Sequence, residues 1–243
     1  MRFGLIIIGD ELLAGQREDR HLVRFRTMLA VRGHALAWCW ILPDDPDRLI
    51  DHLRLSMAGH EPVFCCGGIG ATPDDRTREA AAAAAKVPLA RHSDAQALIE
   101  ARFGTDAYPH RILMADLPSG SELIPNPYNR IPGFSLHNHF FLPGFPQMAW
   151  PMAEWVLEQR FTAGQDAPRE SSVVVKGVPE SALIPLMQLF TGQYPGLKLF
   201  SLPHLGSRKT VELGFRGRDG LDQAMKALQR GLEAQGFEFE SKD

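Results

Sequence analysis

The apolar positions of this chain fall into short blocks whose spacing switches between that of a strand and that of a helix. Phe3 to Ile8 is a brief β-branched-rich apolar run ending at Gly9. It predicts a strand buried on both faces, as in a parallel sheet. From His21 to Val31, the residues Leu22, Val23, Phe25, Met28 and Leu29 recur at helical spacing, and Gly33 follows as a stop signal. Ala35 to Leu42 predicts a second strand, closed by Pro43-Asp44-Asp45-Pro46, and Leu49, Ile50, Leu53 and Met57 mark a second helix. Pro62 to Cys66 predicts a third strand running into Gly67-Gly68-Ile69-Gly70. The alanine-rich stretch from Thr77 to Ala85 predicts a third helix of high intrinsic propensity. Strand, loop and helix three times over is the signature of a doubly wound α/β sheet. Right-handed crossovers then bring the loops after the strands to one edge, where such folds bind ligands.

Further along, Ser93 to Phe103 reads as a helix, Phe140 to Leu142 as a strand ending at Pro143-Gly144, and Met148 to Phe161 as a closing helix. Between them, Leu117 to Gly133 is rich in Pro, Gly and Asn. Thr162 to Pro168 has the composition of a linker. It separates an expected first domain, residues 1–162, from an expected second, residues 171–243. In the second, strands are expected at Ser172–Val175, Leu197–Leu202, Thr210–Phe215 and Phe237–Glu240, with helices at Ser181–Phe190 and Leu221–Ala234. That βαββαβ order matches a ferredoxin-like α+β unit. Pro185 is expected in the first turn of its helix, where the missing N–H costs little.

Charge narrows the function classes. With 26 Lys+Arg against 29 Asp+Glu, the formal net charge of -3 gives no global reason to bind nucleic acid or an anionic membrane. Residues 171–243 carry nine Lys/Arg and eight Asp/Glu, with no GxxG loop and no paired aromatic platform, which argues against RNA binding. No apolar run approaches the ~18 residues of a membrane-spanning helix. The first run meets Asp10-Glu11 rather than a signal cleavage site, so a cytoplasmic location is expected. Cys39, Cys65 and Cys66 form no disulfide framework and are expected to be reduced, the last two as small buried hydrophobes. Trp38, Trp40, Trp150 and Trp155 suit the core or a subunit interface of a homo-oligomer.

The strongest local signal is Gly67-Gly68-Ile69-Gly70-Ala71-Thr72-Pro73-Asp74-Asp75-Arg76-Thr77, between a strand and a helix. Glycines let backbone N–H groups approach a ligand, and a helix N-terminus favours an anion such as phosphate. A dinucleotide fingerprint would need glycine at Pro73, and a P-loop would need Gly-Lys-Ser/Thr; neither is present. Bare carboxylates repel phosphate, so Asp74 and Asp75 are either helix caps or partners of a divalent cation. The cap is favoured for Asp74, and both readings stand for Asp75. Two more acidic loops, Gly9-Asp10-Glu11 and Pro43-Asp44-Asp45, are expected on the same edge. Carboxylates converging on a phosphate loop suit a Mg²⁺-dependent nucleotide or pyrophosphate site, whereas loop aspartates also serve as turn residues and caps. His137 and His139, two apart on an expected strand, would share a face. No third ligand accompanies them, and a surface or packing role is favoured over a metal.

Four ordered blocks carry a resemblance. Gly9-Asp10-Glu11-Leu12-Leu13 with Gly15 and Asp19, and Gly67-Gly68-Ile69-Gly70 with Asp74, Asp75 and Thr77, resemble the N-terminal pattern of CinA proteins. Leu117-Pro118-Ser119-Gly120 with Asn126 and Pro132-Gly133-Phe134 resembles the third block, and Leu142-Pro143-Gly144-Phe145-Pro146 the fourth. Together they cover about residues 1–160 and place the chain with the CinA N-terminal and MoaB/Mog molybdopterin-binding domains. The stretch Gly177-Val178-Pro179-Glu180-Ser181 is similar to the small domain that follows in CinA-like proteins.

The resemblance implies a MoaB/Mog-like three-layer α/β sandwich with a mostly parallel sheet. It implies a small phosphorylated ligand, molybdopterin or an adenine nucleotide, with Mg²⁺ or another divalent metal, and hydrolysis of ADP-ribose-like pyrophosphates in the CinA branch. By position, Asp44 and Asp75 match the acidic pair tied to catalysis and metal binding. Gly67, Gly68, Gly70, Thr72 and Thr77 match the binding loop, joined by Gly9, Asp10 and Glu11; Pro118, Gly120, Pro143 and Gly144 match the loops that complete the pocket. The chain departs from the family pattern at His21 (Asn there), Ala71 (Pro), Asn129 (Gly) and Met148 (Glu). Those departures bear on catalysis more than on binding, which keeps a non-catalytic binding or scaffold module as the competing class.

Overall fold

The computed structural model describes residues 1–161, 169–204 and 210–242. The chain divides into two compact units, Met1–Gly164 and Gln165–Asp243. The expected linker, Thr162–Pro168, lies outside the described residues.

In the first unit the elements run β1 (Arg2–Ile8), α1 (Asp10–Leu13), α2 (His21–Val31), β2 (Ala35–Leu42), α3 (Pro46–Met57), β3 (Val63–Cys66), α4 (Thr77–Ala85), β4 (Leu89–Arg91), α5 (Ser93–Phe103), β5 (Asp116–Pro118), β6 (Glu122–Ile124), β7 (Gly133–Leu136), β8 (His139–Leu142) and α6 (Pro146–Arg160). Side chains of β1 alternate between two cores. Phe3, Leu5 and Ile7 pack with Phe25, Met28 and Leu29 of α2 and with Ala149, Met152 and Val156 of α6. Ile6 and Ile8 pack on the other face with Leu49 and Leu53 of α3, Ala80 and Ala84 of α4, and Ala95 and Ile99 of α5. The period of two thus turns one apolar run into a wall between two helix layers. The main sheet has the order β2-β1-β3-β8-β7-β6, parallel from β2 to β8 and antiparallel at β7 and β6. This is the expected α/β sandwich with a mostly parallel sheet.

In the second unit, β9 (Arg169–Lys176), α7 (Glu180–Gln193), β10 (Lys198–His204), β11 (Thr210–Gly217), α8 (Leu221–Ala234) and β12 (Phe239–Lys242) follow the expected βαββαβ order. The sheet runs β10-β11-β9-β12, antiparallel throughout, as a ferredoxin-like unit requires. Val173, Val175, Val211, Leu213 and Phe215 pack against Leu183, Leu186 and Phe190 of α7 and Leu228 and Leu232 of α8. Pro185 corrects one expectation: the helix starts at Glu180, so this proline lies in the interior and removes one backbone hydrogen bond.

The two histidines do not share a strand face. His137 and Asn138 form a two-residue turn with φ of 46° and 61°, and β8 begins only at His139. His139 is buried; its Nδ1–H donates to the His137 carbonyl at 2.9 Å, and its Nε2 lies 2.8 Å from Ser56 Oγ on α3. A carbonyl can only accept, so the neutral ring carries its proton on Nδ1 and Nε2 accepts from the serine hydroxyl. Burial, with the His137 ring adding, pulls this imidazole down to about 4. Unfolded histidine titrates near 6.5. Stability from this group is therefore complete above about pH 6.5 and is lost as pH falls towards 4, by up to ~3 kcal/mol. Burial lowers His21 in the same sense. In urea unfolding at pH 7 and pH 4.5, His139→Gln should lose markedly less stability between the two pH values than the unmodified protein. Equal losses would clear His139 as the titrating group.

Cys39, Cys65 and Cys66 are free thiols, and burial drives all three upward, Cys39 to about 11. Cys39 on β2 and Cys65 and Cys66 on β3 flank β1 on opposite sides. Two strand spacings, roughly 10 Å, exceed the reach of a disulfide.

Candidate functional site

Four parallel strands, β1, β2, β3 and β8, bring their C-terminal ends to one edge of the main sheet. The loops that leave them carry the residues expected to meet there. A cavity of about 450 Å³ opens at this edge. Among the expected residues, Glu11, Asp44, Gly67, Gly68, Gly70, Thr72, Asp75, Pro143 and Gly144 line it.

The glycine loop is held from below. The Thr77 N–H donates to the Gly68 carbonyl at 2.9 Å, and the fully buried Thr77 Oγ1 has no hydrogen-bond partner. Gly68 has φ of +66°, and a Cβ there would meet Thr77 Oγ1 at 2.3 Å. Glycine is thus required for both the backbone conformation and the close approach. Arg78, also buried, donates from Nη2 to the Gly70 carbonyl at 2.8 Å and from Nη1 to the carbonyls of Leu113 and Asp116. This places a guanidinium under the loop. Sequence reasoning passed over Arg78; the signal available was a lone cation at the start of an alanine-rich helix.

The acidic residues have separate tasks. Asp44 Oδ2 accepts from the Asp10 N–H at 3.0 Å, and Asp10 Oδ1 accepts from the Asp44 N–H at 3.3 Å. This reciprocal clasp ties the loop after β1 to the loop after β2. Burial and the negative charges of Asp10, Glu11 and Asp74 raise the Asp44 carboxyl above its ordinary range, against the pull of the Asp10 N–H. Asp75 Oδ2 accepts from Thr72 N–H at 2.9 Å and from the Thr72 hydroxyl, which closes the turn before α4. The expected cap at Asp74 is corrected: Arg76 holds the N-cap position of α4, and no side chain caps it. Among the described residues, no three His, Cys, Asp or Glu side chains converge to hold a metal ion.

Two expected residues lie elsewhere. Pro118 pairs with Leu89 across the small β4–β5 ladder, and Gly120 follows in the next turn; both border a separate cavity with Arg91 and His92. Gly9 and Asp10 brace the loop rather than line the cavity, with Gly9 N–H on the Leu42 carbonyl at 3.1 Å. The structure adds Arg17, whose guanidinium pairs with Glu11 at 3.7 Å and lies 5.8 Å from the centroid of the Phe145 ring. Met114, Ile131, Met148, Asn126 and Asn129 also line the cavity, with Asn129 Nδ2 3.4 Å from the Met148 sulfur. His21 lies outside this cavity, but its Nε2–H donates to the Gly144 carbonyl at 2.9 Å and so positions the loop after β8.

Residues 4–163 match the model of the probable molybdopterin binding domain. A CinA-like protein of Geobacter sp. (strain M21) is 34% identical over 252 residues, covering 98% of this chain and 59% of that protein. A CinA-like protein of Citrifermentans bemidjiense is 33% identical over 199 residues, covering 77% of this chain and 47% of that protein. The chain therefore spans about half to three-fifths of the length of these relatives. Among solved structures, CinA of Thermoplasma acidophilum, a protein of unknown function, superposes with a TM-score of 0.60 at 25% identity, over 65% of this chain and 98% of that one. With a cavity at the edge of the parallel sheet and a family match over residues 4–163, the chain belongs to the molybdopterin-binding-domain family, in its CinA-like branch.

Proposed function

We propose that the cavity binds a phosphate-bearing pterin or adenine nucleotide, and that the protein hydrolyses a pyrophosphate of the ADP-ribose type with a divalent ion. The observation that carries this reading is the buried hydroxyl of Thr77, without a partner beneath the left-handed Gly68 and beside the buried cation of Arg78. An anion laid on the loop meets backbone N–H groups, the start of α4 and a guanidinium behind them.

The donor set fits a metal that arrives with the phosphate, not a cage made by the protein alone. Magnesium is commonly held by one or two carboxylates plus substrate phosphates. Asp44 and Asp75 are the residues that would hold it, and the crowding of Asp44 by three other acids is what a cation would relieve. The ion would polarise a phosphoryl oxygen and acidify water. The rest falls to the chain: the glycine loop orients the phosphate, Thr72 fixes the Asp75 carboxylate, and the Asp10 clasp fixes Asp44. Water adds to one phosphorus and the bridging oxygen leaves with the other, giving AMP and ribose 5-phosphate from ADP-ribose.

One contact favours the non-catalytic alternative. At the position where the family pattern has glutamate, Met148 accepts a contact from Asn129 Nδ2 at 3.4 Å, so two of the four departures face each other in the cavity. Incubation of the full chain with ADP-ribose and Mg²⁺ separates the readings. Release of AMP and ribose 5-phosphate supports hydrolysis. Binding that is equal with Mg²⁺ and with EDTA, without turnover, supports the binding module. We also propose a homo-oligomer: among the described residues β2 has a neighbour on one side only, and its run Ala35–Leu42 carries no charge or proline to guard that edge.

A further inference from the structure

The free edge of β2 carries a definite pattern of main-chain groups. The Gly9 N–H donates to the Leu42 carbonyl at 3.1 Å, so the peptide groups of Leu42 face β1. Alternation along the strand turns those of Trp40 and Trp38 the same way and those of Cys39 and Ile41 outward. The register against β1 shifts between Phe3 and Gly4, which leaves Trp38–Leu42 as the regular part of the edge. Side chains on the two faces are uncharged. On one, the half-buried rings of Trp38 and Trp40 stack with centroids 4.3 Å apart; Trp38 Nε1 donates to Glu61 at 2.6 Å, and the His52 ring stands edge-on to Trp40. On the other, Ile41 is 42% exposed.

The charges around this strand are polarised. From Arg20 to Pro43 the chain has four arginines and no acid, and Asp44, Asp45 and Asp47 follow at once. A copy laid parallel would set the acidic ends side by side. Antiparallel pairing keeps them apart and places each beside the start of the other strand, where Arg32 is offset by Glu158 alone. A twofold axis between identical chains produces antiparallel strands and matches the same surface with itself.

We infer that two copies of the chain join β2 to β2 in antiparallel fashion about a twofold axis at Trp40, so that six strands from each copy form one continuous sheet. The inference rests on the reading of the protein as a homo-oligomer and names its surface. The outward groups set the register. Centred on Trp40, Cys39 of one copy faces Ile41 of the other, and each pair exchanges both main-chain hydrogen bonds. A centre on Ile41 would set Cys39 against Pro43, which has no N–H, and a centre on Cys39 would set Ile41 against Ala37, where the register shifts. The chosen centre also brings the two Trp40 side chains together, so the tryptophan stack runs on from one copy into the next. Because the strands run in opposite directions, the two sheet-edge cavities open at opposite edges, and each is built from one chain.

The full chain is sedimented over a range of concentrations, unmodified and as Ile41→Lys, whose added charge points into solvent unless the edge is paired. Ile41→Cys is treated with oxidised glutathione and run on a non-reducing gel. The unmodified protein is expected to be an even-numbered oligomer, and Ile41→Lys should weaken association about hundredfold or more. A hydrogen-bonded antiparallel pair sets its Cα atoms roughly 5.5 Å apart, within the reach of a disulfide. Ile41→Cys should therefore be trapped as a covalent dimer through Cys39 of the partner subunit, and adding Cys39→Ser should abolish the trap. If Ile41→Lys misfolds, the disulfide carries the test. Unmodified protein that is monomeric at tens of micromolar, about the range of a weak assembly, overturns this inference and the homo-oligomer reading together. An oligomer that persists in Ile41→Lys and gives no trap with Ile41→Cys overturns this surface alone. A trap that survives Cys39→Ser overturns the pairing centred on Trp40.

Discussion

Gly67→Ala should lose about 4 kcal/mol of stability or more, enough to leave much of the first unit unfolded at room temperature. Two penalties act together. Gly67 has φ of +119°, a conformation closed to L side chains, and its N–H is committed to the Leu142 carbonyl at 3.0 Å. An added Cβ would also meet the Ile8 carbonyl oxygen at 2.2 Å. That oxygen belongs to β1, held between β2 and β3, so it cannot retreat without breaking the sheet. Gly15→Ala is the control. Its φ is +69°, but open space surrounds it, so only the roughly 1–2 kcal/mol of left-handed backbone strain applies. Urea midpoints of the two variants measure the difference. A Gly67→Ala midpoint close to that of Gly15→Ala would show that the sheet edge yields more easily than its packing indicates.

The second large effect is on turnover. If Asp75 and Asp44 hold a cation at the phosphate, Asp75→Asn and Asp44→Asn should each slow ADP-ribose hydrolysis by two orders of magnitude or more, about 3 kcal/mol in the barrier. The double variant should be little worse than either single one, since both serve one ion. Stability should move the other way at Asp44. Asparagine still accepts from the Asp10 N–H, and the repulsion from Asp10, Glu11 and Asp74 disappears. An Asp44→Asn protein that is as stable as the parent or more so, yet inactive, marks a carboxylate kept for its charge. Full activity in either variant would remove both from the metal site.

The loops after β1, β2, β3 and β8 were legible because an apolar strand followed by Gly or Pro fixes where a parallel sheet ends. Pro118 and Gly120 border a different cavity from the one at the sheet edge. β4, β5 and β6 are three residues long each, too short for a period of two to register, and pairing with Leu89 draws Pro118 away from the cavity. Pro185 is interior by either start: counted even from the expected Ser181 it is the fifth helical residue, past the N–H groups that a helix leaves free. Arg78 was harder to see because its role comes from the carbonyls of Gly70, Leu113 and Asp116, which only folding brings to its guanidinium. The split of β1 between two cores, by contrast, follows from alternation alone.

The turn at His137–Asn138 bears on the order in which the molecule assembles. It joins β7 to β8 with two residues, so this hairpin can close within microseconds, while the parallel ladders β2–β1, β1–β3 and β3–β8 each wait for a whole intervening segment to come round. The hairpin also delivers β8, the strand on which β3 zips. A nucleus placed there makes the last-formed strands, not the first, the template for the sheet. During synthesis β1 to β3 emerge before β8, so the β3–β8 ladder closes only after residue 142 has left the ribosome.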